Sequence, residues 1–201
     1  MSKTNITATG QALWTKMPKA SAELFALTYG ALVTEIIRDY ENINDVNSQL
    51  EKIGHSIGIR CVDEFLSKSE LAGFVIPTCK NMRDTAEVVA KGGFKMFLGI
   101  PCEVANFNAD GKAFSLIIYE NPLSIFVEIP STSEEFRGED LSSICYSNIY
   151  CGIVRGVLES VNIKVICTFV KDVLKGDDVN EIRVEVKEIL TDGAGDDYKE
   201  E

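Results

Sequence analysis

Cys79, in the string Pro77-Thr78-Cys79-Lys80-Asn81-Met82-Arg83-Asp84-Thr85-Ala86-Glu87, sets a thiol at the entry to a helical pattern. Three chemistries are open to a thiol in that place: attack as a thiolate, coordination of a metal, or capture of an acyl group as a thioester. Thiolate catalysis needs an activating base, and the single histidine, His55, comes with no serine or cysteine motif. A metal site needs clustered ligands. The six cysteines, Cys61, Cys79, Cys102, Cys145, Cys151 and Cys167, contain no Cys-x-x-Cys pair. A thioester asks only for a reachable thiol and an apolar cavity to receive the chain.

Other catalytic patterns are missing. The chain has no Gly-x-x-x-x-Gly-Lys-[Ser/Thr] loop, no Gly-x-Gly-x-x-Gly after a strand, no Gly-x-Ser-x-Gly elbow and no His-Glu-x-x-His. Asp84 and Glu87, at i,i+3 spacing, read as a solvated polar edge rather than an acid/base pair. An enzyme acting alone is disfavoured, and neither a metal nor a diffusible cofactor is expected.

The elements that must position Cys79 can be read from composition and periodicity. The 201 residues are 45% hydrophobic and 25% charged, enough for one core burying roughly 70% of the unfolded surface. A net charge of -11 and a pI near 4.7 argue against nucleic acid as a partner, since phosphate binding relies on clustered Lys and Arg. No segment has the apolar length of a membrane span, and residues 1–19 lack the apolar run of a secretory signal. Unpaired thiols fit a reducing, cytoplasmic compartment. The expected organisation is a flexible N-terminal tail at 1–20, one domain at 21–190, and an acidic tail at 191–201 with five acidic residues against Lys199.

Within the domain the first half is helical. Behind Ser21, a candidate N-cap, Phe25, Tyr29, Leu32, Ile36 and Tyr40 share one face. A second helix from Asp45 onward aligns Leu50, Ile53, Ile57, Cys61 and Phe65, with His55 off that face. A loop over 69–78 leads to a third helix at about 80–98, which stacks Met82, Ala86, Val89, Gly93 and Phe97 and stops at Gly99 and Pro101. Gly92-Gly93 inside it costs about 1 kcal/mol per glycine relative to alanine. Something must therefore approach that backbone closely, either another helix or a ligand channel.

From Cys102 the texture turns to strands. Residues 113–120 are rich in strand formers behind the Asp110-Gly111 turn, and 131–140 reads as a polar, acidic loop. A fourth helix at about 141–161 carries a small-residue stripe, Cys145, Ile149, Gly152 and Gly156, beside a larger apolar surface, Tyr146, Tyr150, Ile153 and Val157. Two alternating runs around Val165 and Val184, joined through Gly176-Asp177-Asp178, complete the chain. The order ααα-ββ-α-ββ predicts an α+β fold, with helices on one side of a twisted four-stranded antiparallel sheet.

Two strings, Ala22-Glu23-Leu24-Phe25-Ala26-Leu27-Thr28-Tyr29-Gly30-Ala31-Leu32-Val33 and the run from Ala86-Glu87-Val88-Val89-Ala90 through Gly92-Gly93-Phe94 to Leu98-Gly99, resemble the Bet-three family of TRAPP (transport protein particle) subunits. Further matches are Glu120-Asn121-Pro122-Leu123, Tyr146-Ser147-Asn148 through Cys151-Gly152 to Arg155-Gly156, and Leu174-Lys175-Gly176-Asp177 through Glu181-Ile182-Arg183. The resemblance spans about 21–190 in order. It implies that Cys79 is the lipid attachment site, carrying a palmitate-like chain in an apolar channel lined by Met82, Ala86 and Gly93. It implies other small TRAPP subunits as partners, a homodimer in isolation, and peripheral membrane association at the Golgi and between endoplasmic reticulum and Golgi. It also implies, through the complex, guanine-nucleotide exchange on a Rab-type GTPase, for which the acidic tail is a candidate contact. Around Cys79 and over 71–77 and 131–140 the chain departs from the family's usual residues. A lipid-responsive acyl-binding module outside such a complex is the alternative.

Overall fold

The computed structural model describes residues 5–40, 42–76, 78–130 and 141–190. Its helices are α1 (Ile6–Lys16), α2 (Ala22–Asp39), α3 (Ile43–Leu71), α4 (Met82–Glu87), α5 (Lys95–Leu98) and α6 (Ile149–Glu159), and its strands are β1 (Cys102–Ala105), β2 (Ala113–Ile118), β3 (Ile163–Lys171) and β4 (Asn180–Ile189). Side-chain caps explain where several begin. Ser21 accepts from the Leu24 amide, Asn42 from Asn44 and Asn81 from Asp84, each satisfying an amide the first turn leaves over. Gly99, at φ 73°, ends α5 in the left-handed conformation that glycine tolerates. The acidic stretches 131–140 and 191–201 lie outside the described residues, as does Pro77.

One expectation is corrected at the N-terminus, where part of the supposed flexible tail is α1. Asn5 caps it through the Thr7 and Ala8 amides, and Thr9, Gly10 and Leu13 are buried. Leu13 packs with Phe65 and Met96. The segment reads as a tail because Thr, Gly and Gln dilute its apolar face. Its anchoring depends on contacts with residues some eighty positions away, which no local pattern reveals.

The sheet is antiparallel throughout, in the order β1-β2-β4-β3. Phe114, Leu116 and Ile118 of β2 and Ile182 and Val184 of β4 join Leu50, Phe94, Tyr150 and Leu158 in one core between sheet and helices. The opposite face carries polar pairs such as Ser115 beside Arg183, joined by a 3.3 Å hydrogen bond from Nη1 to the serine hydroxyl.

Helices α3 and α6 run in the same direction and touch backbone to backbone. A Cβ placed on Gly54 would fall on the Ile149 carbonyl, on Gly58 on that of Ile153, on Gly152 on that of Glu51 and on Gly156 on that of His55. The Gly152 and Gly156 half of this seam is visible in the α6 stripe. Gly54 and Gly58 hide inside an ordinary amphipathic helix. Charges flank the contact: Arg155 donates to Glu51, and through Nη1 to Glu159 at 3.3 Å, while the other Glu159 oxygen meets His55 Nε2 at 2.6 Å. Burial works to raise the Glu159 pKa, but the hydrogen bonds from His55 and Arg155 outweigh it and hold the carboxyl below its ordinary value.

Asp172, after β3, is buried, and its Oδ2 has no hydrogen-bond partner, while Oδ1 caps the following 3-10 turn at the Leu174 amide. Burial raises its pKa, opposed by the Leu174 bond and Lys175 and reinforced by Asp177. A carboxyl whose folded pKa is raised binds its proton more tightly folded than unfolded, so stability falls as pH climbs from the ordinary carboxylate range through the raised value. Asp172→Asn keeps the Oδ1 cap and removes that charge. Its melting temperature relative to the wild type should therefore rise between pH 4 and pH 7; thermal melts at both pH values check this, and a constant difference refutes it.

Candidate acyl site

Cys79 sits in the return from α3 to α4. Gly73, at φ 79°, turns the chain, and the Phe74 amide bonds back to the Ser69 carbonyl at 2.8 Å. Two residues past Cys79, Asn81 caps α4, and the Lys80 amide donates to Asp84 Oδ2 at 3.0 Å. The thiol is thus held half-buried between two fixed points.

Residues 82–98 form one helix with a π-helical middle, Val88–Phe94. A π segment bonds i to i+5 and is uncommon outside functional sites. Its two glycines answer the two readings separately. A Cβ on Gly92 would lie 2.9 Å from the Phe65 ring and 3.2 Å from Ile6 Cδ1, so that glycine serves helix packing. A Cβ on Gly93 would meet nothing within 4 Å.

The open space beside Gly93 is an apolar cavity of about 580 Å³ that also borders Cys79, within the size range of ligand pockets. Phe25 and Tyr29 of α2, Ile57, Cys61 and Phe65 of α3, Val89 and Phe97 of the 82–98 helix, Ile153 and Val157 of α6, and Ile163 of β3 form its walls. No charged side chain lines it. The hydroxyls of its two tyrosines are turned to other partners, Tyr29 donating to the Tyr146 carbonyl at 2.6 Å and Tyr150 to Asn121 Oδ1 at 3.2 Å. Burial pushes the pKa of both tyrosines, and that of the Cys61 thiol, upward. Such a space suits hydrocarbon and rejects ions. Phe25 and Ile57 stay 44% and 40% exposed, so one flank of it reaches the surface.

Met82 and Ala86 stand away from this cavity. Ala86 is fully buried in the main core and Met82 packs against that core. A continuous α-helix would put both on one face with Gly93. The π segment inserts an extra residue, rotating the downstream turns by about 100°, so Thr85 and Val88 before the insertion share the cavity with Gly93 and Phe97 after it. Only the glycine pair hints at this irregularity. Among the described residues no cluster of His, Cys, Asp and Glu suits a metal ion, and no helix is long and apolar enough to cross a membrane.

Comparison with known proteins agrees with this arrangement. The profile of the transport protein particle (TRAPP) component family matches residues 25–185. Trafficking protein particle complex subunit 3 of Dictyostelium discoideum is 47% identical over 183 residues, covering 91% of this chain and 92% of its own. Transport protein particle subunit bet3 of Schizosaccharomyces pombe is 41% identical over 190 residues, covering 94% and 95%. A crystal structure of trafficking protein particle complex subunit 3 from Naegleria fowleri, covalently bound to palmitic acid, superposes with a TM-score of 0.74 at 45% identity over 85% of this chain and 97% of that one. The phenol-responsive sensory domain of PoxR shares the fold alone, with a TM-score of 0.56 at 11% identity and 92% of each chain covered.

Proposed function

The chain belongs to the TRAPP component family, and from that premise we propose that it is a core subunit of a TRAPP-like vesicle-tethering complex whose Cys79 carries a fatty acyl chain buried beside Gly93. The carrying observation is the meeting of Cys79 and Gly93 at one uncharged cavity of about 580 Å³. The palmitic acid bound covalently to the Naegleria relative supports it. A chain laid inside the domain is not available to anchor the protein, so the acyl group acts on stability, and membrane association is peripheral, through the assembled complex.

Helix α2 supports the partner reading. Leu24 and Leu27 are 65% and 63% exposed, next to the half-exposed Phe25 and Leu32, a surface suited to other small TRAPP subunits or, in isolation, to a second copy. The complex works in the cytoplasm on endoplasmic reticulum-to-Golgi traffic and promotes nucleotide exchange on a Rab-type GTPase, with this chain contributing surface rather than an active site.

The test is to tag the chain in its own cells, identify co-purifying proteins by mass spectrometry, and measure nucleotide release from Rab-type GTPases. A stable set of small related subunits with exchange activity, and a hydroxylamine-labile acyl mass that Cys79→Ser removes, is the expected result. Recovery of the acylated chain without partners overturns the complex in favour of a lipid-binding module; absence of any acyl mass overturns the site.

A further inference from the structure

We propose that α1 is a docking helix whose attachment reports whether the cavity is filled, an inference that rests on the acyl reading of that cavity. Phe65, Ile76, Val88 and Phe97 line the cavity on one side and on the other belong to the cluster that holds Leu13, Ile6 and Met17 of the N-terminal segment. One layer of side chains therefore separates α1 from the space the acyl chain occupies. The contact is close at the backbone as well, because a Cβ on Gly10 would fall on the Lys91 carbonyl, and Gly92 leaves room where Phe65 and Ile6 meet. The helix α1 leans on is the π segment itself, a less regular support than an α-helix.

Filling the cavity presses this layer outward against Leu13 and Ile6. Emptying it lets Phe65 and Phe97 relax into the void, since a close-packed interior does not hold such space open without cost, and α1 loses its bed. An isolated helix of 11 residues is marginal in water, so undocking and unfolding of α1 are one event. Linkage makes the effect reciprocal: whatever loosens α1 loosens the hold on the chain.

The molecule supplies its own probe. Trp14, its only tryptophan, lies on α1 with its ring against Gly99, and Lys19 reaches back over that ring at 3.5 Å and bonds the Trp14 carbonyl. The experiment compares the full acylated chain with the same preparation deacylated by hydroxylamine, following amide hydrogen exchange at 6–16, at β2 and at β4, together with Trp14 emission. Exchange in α1 should accelerate by about 5- to 150-fold on deacylation, the usual span of a coupling between sites, beyond any change at β2 and β4, with Trp14 emission shifting toward that of an exposed indole. Leu13→Ala should in turn speed hydroxylamine release of the acyl group. If exchange at 6–16 is unchanged, or changes only as much as at the two strands, while mass confirms loss of the chain, the coupling is wrong and the acyl reading stands. If no preparation carries an acyl group, the acyl reading falls; Gly93→Leu, which places a side chain in the cavity, then decides the coupling, slower α1 exchange than wild type supporting it and equal exchange overturning it.

Discussion

Gly152→Leu should leave no folded protein at 25 °C, measured as loss of the cooperative thermal transition in circular dichroism. Overpacking a core with flexible side chains costs about 1–3 kcal/mol. At Gly152 the neighbour is the Glu51 carbonyl and the His55 amide of α3, and backbone in mid-helix has no rotamer to give. The two helices must separate, which opens the Gly54, Gly58 and Gly156 contacts at once and pulls apart the bonds Arg155 and His55 make across the seam. A domain typically holds only about 5–15 kcal/mol in total. Gly93→Ala is the control. With nothing within 4 Å of its Cβ and alanine favoured over glycine in a helix by about 1 kcal/mol, it should fold as well as the wild type. A Gly152→Leu variant that melts normally would mean that α3 and α6 are not in backbone contact.

That seam also shows where the sequence speaks and where it is silent. Period-2 runs around Val165 and Val184 and the turn at Gly176 are enough to place β3 and β4, because half-buried strands must alternate. The small residues of α6 announce one side of a close contact. Gly54 and Gly58 do not, because a glycine in a long amphipathic helix looks the same whether a backbone or water lies above it. At the cavity, Cys79 and Gly93 draw attention through their chemistry, one as a thiol ahead of a helix and the other as a costly glycine. Met82 and Ala86 are drawn in by an α-helical period that the π segment breaks. The added residue of a π turn depends on what packs on both sides of the helix, here α1 and the cavity, and α1 itself reads as a tail. Both departures lie in the same neighbourhood and have one cause, contacts remote in sequence.

Cys79→Ser should lower the melting temperature of the acylated protein by roughly 10–20 °C, taking 2–4 °C per kcal/mol for a domain of this size. A sixteen-carbon chain, the length of the palmitic acid in the Naegleria relative, holds about fourteen methylenes, each worth about 0.8 kcal/mol when buried, or about 11 kcal/mol gross. The cavity gives a similar figure, since about 580 Å³ left empty costs about 14 kcal/mol at 24 cal/mol per Å³. The net loss is smaller, because the unfolded chain shields part of its acyl group and the emptied cavity partly collapses; several kcal/mol remain. Gly93→Leu separates the two roles of the site. Its side chain occupies the space in which Gly93 leaves room, so acyl occupancy measured by intact mass should fall while the thiol remains. Because leucine refills part of the void, the variant should melt between the acylated wild type and Cys79→Ser. A Cys79→Ser protein that melts with the acylated wild type would place the chain outside the domain, and a fully acylated Gly93→Leu would put it along another wall of the cavity.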